Sequence, residues 1–385
     1  MIKVLIDGRT IRKNPSGVGY VVKNLVRELS CYSELAITVI VQKGVVDIGV
    51  NSPNLKIYAT DFEYQFAGTK RFYFEQAILP RIISQIKPDI VHLTDSFGLP
   101  FYRSKKVKYI ATVHDLIPMT KYRELMGRVG GFFYDVSIRQ TIKSADKIVA
   151  VSKYTQRDIC RHFPDITRSK VSHVYNGIEQ TVPKIAPVKQ QAILKKFGID
   201  REYIFYLGGF APRKNTVRLL EAFYTYKKTT NSKIRLVLAG RMSQKPDIVQ
   251  TLAFLKKQVK KYGLDSEVIF LDYLNTHEKY TLLHNALFFA YISLYEGFGL
   301  PALEAFAADT PVLTSKDSPM QEVTKGLALY VDPQNVKEIT EKLKYMTHNI
   351  NNYKEKAVKG RQLINPTFSW DRAAKKYYQL YTKLT

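Results

Sequence analysis

Apolar positions fall in short runs rich in Val, Ile, Leu, Tyr and Phe, and between them apolar and charged residues recur at helical spacing. A strand covered on both faces of a parallel sheet needs such near-continuous apolar runs, and crossover helices need the amphipathic stretches between them. In the first half the pattern predicts strands over 3–7, 36–41, 55–58, 90–93, 108–113, 147–151 and 171–174. After a Pro- and Lys-bearing stretch at 180–189 the alternation resumes, predicting strands over 203–207, 234–239, 268–271, 288–293, 311–314 and 328–331. The chain is therefore α/β, with two doubly wound, Rossmann-like domains. Ligands of such sheets bind beyond the carboxyl ends of the strands, so two facing domains are expected to place their sites across a cleft. A last amphipathic stretch, 368–383, predicts a helix with Trp370, Tyr377 and Tyr378 on its apolar side.

Length and composition agree with this division. At 385 residues the chain exceeds one ordinary core, and its 45% apolar content is that of a globular protein. The expected division is 1–182, 183–366 and a closing helix over 367–385. Lys and Arg number 59 against 34 Asp and Glu, a net charge of +25 that favours anionic partners. Two cysteines, Cys31 and Cys160, form no paired spacing, which argues against a disulfide framework or a structural zinc site. The start reads as a strand and not as a signal peptide, and the longest apolar run, 286–294, is far shorter than the roughly 20 residues of a membrane span. The expectation is a cytoplasmic protein.

The chemistry is expected in residues 293–314, SLYEGFGLPALEAFAADTPVLT. Pro301 has the φ suited to a first helical turn and lacks an N–H that would be unpaired there, so a helix should begin at Leu300 or Pro301. Gly297 and Gly299 allow the preceding backbone to approach a ligand, with Phe298 between them. The amide end of such a helix favours a phosphate. Glu296 lies in the turn and Glu304 about one helical turn further, roughly 5 Å along the axis. Carboxylates beside an anion site would repel the anion unless they bind something else, and sugar or ribose hydroxyls are suitable donors. A second segment, YLGGFAPRKNTVRLLEAF, places Gly209 after a strand and Arg213 with Lys214 before a helix, where two cations can meet a diphosphate. Ordinary helix-start punctuation and a solvated Arg-Lys pair are the plain alternatives.

In the first half, a glycine-rich turn over 14–19 places Gly17 before a helix, again where an anion can be met. It lacks the third glycine of a nicotinamide-binding turn. His114 ends the strand YIATVHD, and Asp95 ends IVHLTD. Asp95 and Tyr122 are candidates for acceptor contact, with helix capping as the alternative for Asp95. Ser152 reads as a helix cap and Asn176-Gly177 as a turn. His92, His162, His173, His277 and His284 lack metal-ligand spacing.

Taken together, Glu296, the Gly-Phe-Gly-Leu-Pro run and Glu304 resemble the donor-site signature of family 4 of the retaining glycosyltransferases, which have the GT-B fold. The resemblance spans nearly the whole chain. It implies a retaining hexosyltransferase in polysaccharide or glycoconjugate biosynthesis, using a nucleoside diphosphate sugar (GDP-mannose, dTDP-rhamnose or a UDP-sugar) and a glycan or lipid-linked acceptor. It implies Glu296 on sugar hydroxyls, Glu304 on the ribose, Arg213 and Lys214 on the diphosphate, and His114 against the donor sugar. Gly17 and Gly209 join Gly297, Phe298, Gly299 and Leu300 in donor binding. No metal or other cofactor is expected, because helix dipoles and cations take a metal's place. The chain departs from the family at Gly209, which stands where an Arg is usual; Arg213 is expected to supply that charge. The resemblance also implies that the last helix crosses back to the first domain. Segments 69–74, 102–108 and 119–134 mix cations and aromatics, and predict a surface for anionic membrane lipid, holding the protein peripherally on the inner face of the membrane. Two other readings are a non-catalytic, glycan-binding partner subunit of the same fold and a basic nucleic-acid-binding protein; the second lacks a recognition motif.

Overall fold

Each predicted strand is present within two residues. The computed structural model describes residues 1–12, 17–45, 47–64, 68–96, 98–120, 127–179 and 182–385. Its internal contacts divide the chain into one unit of Met1–Gly177 with Phe368–Thr385, and a second of Ile178–Thr367.

The first unit holds strands β1 (Ile2–Asp7), β2 (Leu35–Val41), β3 (Leu55–Ala59), β4 (Ile90–Leu93), β5 (Lys108–Val113), β6 (Lys147–Ala150) and β7 (Val171–His173). They form a parallel sheet in the order β3-β2-β1-β4-β5-β6-β7. Leu5 sits between Thr38 of β2 and Val91 of β4, so the order reverses at the β1–β4 boundary. Helices α1 (Val18–Leu29), α2 (Thr69–Tyr73), α3 (Leu79–Ile86), α4 (Gly127–Ser144) and α5 (Lys153–His162) accompany this sheet. A π-helical turn, Phe74–Ile78, joins α2 to α3. Strand β4 is buried along its whole length, as a central parallel strand between helices must be.

The second unit holds β8 (Tyr203–Leu207), β9 (Arg235–Ala239), β10 (Val268–Leu271), β11 (Phe288–Tyr291), β12 (Val312–Ser315) and β13 (Leu329–Val331), in the order β10-β9-β8-β11-β12-β13. Here the order reverses between β8 and β11, where Phe205 lies opposite Phe289. Its helices are α6 (Pro187–Lys196), α7 (Thr216–Thr230), α8 (Pro246–Lys261), α9 (Thr276–Asn285), α10 (Leu300–Ala307), α11 (Pro319–Thr324), α12 (Val336–His348) and α13 (Ile350–Thr367). In doubly wound sheets the crevice at such a reversal is where ligands bind, because the two flanking connections leave to opposite faces.

The chain then returns to the first unit as α14 (Trp370–Leu384), capped by Ser369 and packed against α1. Trp370, Ala373, Ala374, Tyr377 and Tyr381 form its buried stripe. Tyr378 is not part of that stripe: it sits at the flank, stacked on Tyr32 with ring centroids 4.4 Å apart. Tyr381 donates or accepts at His92 Nδ1 (2.7 Å), and His92 Nε2 and Tyr377 both meet Thr112 Oγ1 at 2.7 Å. His92 is thus a structural polar contact between sheet and helix. Burial, aided by nearby His114, pushes it down to about 3. Asn176-Gly177 forms no turn. Gly177 is instead a crossing point, where a Cβ would lie 2.4 Å from the backbone nitrogen of Trp370.

No helix among the described residues is long and apolar enough to cross a membrane.

Candidate active site

Four connections determine where the polar groups of the second unit meet. After β8 the chain makes a glycine turn. Gly209 has φ +76°, and Gly240 approaches it so closely that a Cβ on Gly240 would stand 2.2 Å from the Gly209 nitrogen. Tyr206 Oη donates to the Gly209 carbonyl at 2.6 Å. The chain then passes through a 3-10 turn, Pro212–Lys214, into α7. Buried Asn215, with φ 63°, secures this turn by donating to the carbonyls of Ile292 (3.0 Å) and Pro333 (2.6 Å). The stretch after β11 is joined directly to the same turn, since Leu294 N donates to Arg213 O at 2.8 Å. Arg213 and Lys214 therefore follow β8, Glu296 follows β11, and these are the two strands at the sheet's reversal.

Glu296 Oε1 accepts three hydrogen bonds, from Lys214 Nζ (2.7 Å), Arg213 Nη1 (3.0 Å) and Tyr291 Oη (3.0 Å). Lys214 Nζ also donates to Tyr291 Oη at 2.6 Å, and Arg213 Nη1 to Tyr295 O at 3.3 Å. Burial would raise the pKa of Glu296, but Lys214 and then Arg213 outweigh it and hold the carboxyl down at about 2. Tyr291, buried in β11 and beside that carboxylate, is pushed upward and stays a hydroxyl. The expectation that the carboxylates would serve hydroxyls and the cations an anion separately is modified here: Glu296 and both cations form one knot.

Helix α10 begins at Leu300 with Pro301 in its first turn, and Gly299 precedes it at φ +103°. A side chain at Gly299 is excluded twice over, by that φ and by Met320 Cγ, 2.8 Å from where a Cβ would be. No side chain caps the helix start, which leaves the dipole end suited to an anion. Gly297 and Phe298 are buried beneath the turn. Glu304 lies within α10 and is paired with Lys279 Nζ at 2.7 Å.

The remaining candidates belong to the first unit. Gly17, φ +56°, stands immediately before α1. His114, 8% exposed, follows β5; its Nε2 meets Thr94 O at 2.7 Å. A carbonyl only accepts, so Nε2 carries the proton and neutral His114 offers Nδ1 as an acceptor. Burial holds His114 below its ordinary value, against the opposing pull of Asp95 and Thr94. His114 also lines a cavity of about 10 Å³, room for about one water, together with Thr94, Thr112, Asn176, Trp370 and Tyr377. Helix α14 thus completes the wall behind the histidine.

Asp95 caps no helix. Its Oδ2 accepts from Arg71 Nη1 (2.9 Å) and from Tyr64 Oη, and Arg71 Nε is shared with Glu75 at 2.5 Å. Asp7 and Arg9 form a neighbouring bidentate pair at 2.8 and 2.9 Å, with the guanidinium 3.5 Å from the Phe74 ring centre. All five charged groups are at most 7% exposed. Arg71 and Phe74 therefore do not belong to the basic, aromatic surface predicted over 69–74, and Tyr134 is buried as well. Tyr122 lies outside the described residues. Ser152 caps α5 by accepting from Thr155 N at 2.9 Å.

Tyr291, Asn215 and Lys279 bond to or brace these candidate residues, and the sequence did not indicate them. The tyrosine is hidden in an apolar strand, the asparagine looks like any helix cap, and the lysine is one of many on amphipathic helices.

Comparison with known proteins follows the same division. Residues 15–181 match the family described as Glycosyltransferase Family 4, and residues 189–362 match Glycosyl transferases group 1. The chain is 26% identical over 293 residues to alpha-maltose-1-phosphate synthase of Mycolicibacterium smegmatis, covering 72% of this chain and 74% of that protein. It is 25% identical over 321 residues to the serotype-specific mannosyltransferase WbdA of Escherichia coli, covering 80% of this chain but only 38% of that longer protein. Among solved structures, sucrose-phosphate synthase from Thermosynechococcus elongatus superposes with a TM-score of 0.80 at 16% identity, covering 100% of this chain and 99% of that one. Anabaena HepE, solved with UDP-glucose, superposes with a TM-score of 0.74 at 12% identity, over 100% of both chains.

Proposed function

The chain belongs to glycosyltransferase family 4 and has its GT-B fold of two Rossmann-like domains, and on that premise we propose that it transfers a hexose from a nucleoside diphosphate sugar to a glycan or lipid-linked saccharide, with retention at the anomeric carbon. The observation that carries this reading is the meeting of Arg213, Lys214 and Glu296 at the β8–β11 reversal. Two cations beside an uncapped helix start match a diphosphate, whose charge grows as it departs.

In this reading the donor rearranges the knot as it binds. The donor diphosphate takes Arg213 and Lys214, with the amides around Gly299 and Leu300, while Glu296 turns to the hexose hydroxyls. Gly209 gives the phosphates room, and Gly17 and His114 of the first unit keep the donor-side roles that the family resemblance implies. Departure breaks the bond from the anomeric carbon to the phosphate oxygen. The acceptor hydroxyl forms its bond on the same face and gives its proton to the departing phosphate. Asp95 and Tyr122 are assigned to the acceptor side, with Asp95 fixed by Arg71. Arg213 and Lys214 do the electrostatic work that a divalent ion does elsewhere, so treatment with a chelator is expected to leave the rate unchanged.

The name of WbdA supports a mannose donor, for which GDP-mannose is the one to test, and HepE supports UDP-glucose as another; dTDP-rhamnose is a third. A thermal-shift panel of these sugar nucleotides and their nucleotides tests the reading, since a ligand of the folded state raises its melting temperature by mass action. One of them is expected to give a clear shift and to support transfer, and Glu296→Gln to lower kcat/KM at least about a hundredfold without unfolding the protein. No shift with any nucleotide, or full activity of that variant, overturns the assignment.

Membrane association is part of the proposal. Phe101, Tyr102, Val129 and Phe132 are exposed, and Phe72 joins the segments that carry them, with ring centres 6.2 Å from Phe101 and 5.0 Å from Phe133. Exposed Lys70, Lys105 and Lys106 come from the predicted segments. Apolar rings with such cations suit an anionic bilayer. Flotation with vesicles of anionic lipid at low salt should carry the protein; failure to bind there removes this part.

A further inference from the structure

Lys279 has no role in the reading above, yet its position is fixed more firmly than that of an ordinary surface lysine. Helix α9, which carries it, is held at both ends. At its start a capping box closes: Asn275 Oδ1 accepts from Glu278 N, and Glu278 Oε2 from Asn275 N, both at 3.0 Å. Glu278, 8% exposed, also takes Lys196 Nζ at 2.6 Å. At its end, Thr310 Oγ1 donates to Leu283 O (2.8 Å) and His284 Nδ1 to Ala308 O (3.4 Å). Ala308 and Thr310 are the residues that follow α10. The two helices are therefore tied together, and Lys279 reaches Glu304 Oε1 from a fixed base at 2.7 Å. Among the described residues no partner is recorded for the second oxygen of Glu304.

We infer that Lys279 is a positioning residue that orients Glu304, and that it thereby sets how strongly the donor site prefers a ribonucleotide to its 2′-deoxy counterpart. The inference rests on the assignment of Glu304 to the ribose hydroxyls and on a GDP- or UDP-linked donor; a dTDP-linked donor, which lacks the 2′-hydroxyl, overturns it. A carboxylate that accepts from two neighbouring hydroxyls must be ionised and held in one rotamer, because both hydroxyls are fixed on one ring. One oxygen anchored by an ammonium leaves the other oxygen directed. A site built around a substrate hydroxyl discriminates against the analogue lacking it, and loses that discrimination when its polar group is misplaced.

Calorimetric titration of GDP, 2′-deoxy-GDP, UDP and 2′-deoxy-UDP into wild type, Lys279→Met, Lys279→Arg and Glu304→Gln tests this. For the base that the wild-type protein binds, the ribo form is expected to bind at least about tenfold more tightly, the size of one hydrogen bond to a charged group. Lys279→Met should reduce that ratio to within about threefold while diphosphate binding persists, Lys279→Arg should restore it, and Glu304→Gln should abolish it. If Lys279→Met weakens both forms equally, or keeps the ratio while Glu304→Gln loses it, the role of Lys279 is overturned and the ribose assignment stands. A ratio unchanged in Glu304→Gln overturns the ribose assignment itself. Should Lys279→Met fail to fold, Lys279→Gln gives the same readout.

Discussion

Each unit gathers guanidinium, carboxylate and tyrosine groups at the reversal of its sheet, but to opposite ends. In the first unit Asp7, Arg9, Arg71, Glu75 and Asp95 are almost completely removed from water, and Ser137 Oγ supports Glu75 Oε2 at 3.0 Å. In the second, the side chains of Arg213 and Glu296 are 22% and 12% exposed, and their turn adjoins an uncapped helix start. Ion pairs sealed from solvent repay their desolvation only while complete, so the first cluster holds its loops in one arrangement. A half-open knot can exchange its internal anion for an external one. Apart from Asp95, which also carries the acceptor assignment, similar groups thus serve architecture in one unit and, on the reading above, binding in the other, and the difference lies in solvent access and backbone.

Breaking the sealed cluster should have the larger effect on folding. Arg71→Met leaves Glu75 and Asp95 buried without their cation, and a loss of about 3–5 kcal/mol of stability is expected by urea denaturation. The equivalent change in the open knot, Lys214→Met, should lower kcat by about 10²–10³ while the melting temperature changes little. If instead Lys214→Met unfolds the protein, and Arg71→Met does not, the contrast between the two clusters is wrong.

Acid separates the units further. His92 is held neutral in the fold at about 3, against 6.5 ordinarily. Protonation of the unfolded chain therefore erodes stability as the pH falls below about 6.5, and the loss continues until about 3. From pH 7 to 5 this amounts to about 2 kcal/mol. Glu296 behaves otherwise: with its folded value at about 2 against 4.5, its contribution is complete above 4.5 and is lost as the pH falls from there to 2. Denaturation monitored at pH 7 and 5 should show the first unit weakening first, and His92→Gln should flatten most of that slope. A slope unchanged by the variant would show that another group is responsible.

Much of this was legible in the sequence. The strands were readable because parallel strands buried on both faces are written as uninterrupted apolar runs, and β4 and β11 are buried at every position. The start of α10 was legible because Gly299 and Pro301 are constrained by backbone geometry alone. Pairing of charges was not. Arg71 reads as one more cation in TKRFYF, and its commitment to Asp95, 24 residues away, arises only when β4 ends beside the π-helical turn. Lys279 and Glu304 stand 25 residues apart on different helices, and no local spacing links them. Tyr378, expected on the apolar side of α14, stands at its flank because it is adjacent to Tyr377 in the stripe and is turned toward Tyr32.

The central claim is that Arg213 and Lys214 grip the donor's diphosphate. Its most direct measurement is calorimetric titration of GDP, UDP and dTDP into wild type and the Arg213→Met, Lys214→Met double variant, with the melting temperature of each followed alongside. The account predicts that one nucleotide binds the wild-type protein and that the double variant, still folded, loses at least about a hundredfold in affinity, as two charge-assisted contacts require. Undiminished affinity in a folded double variant would contradict it.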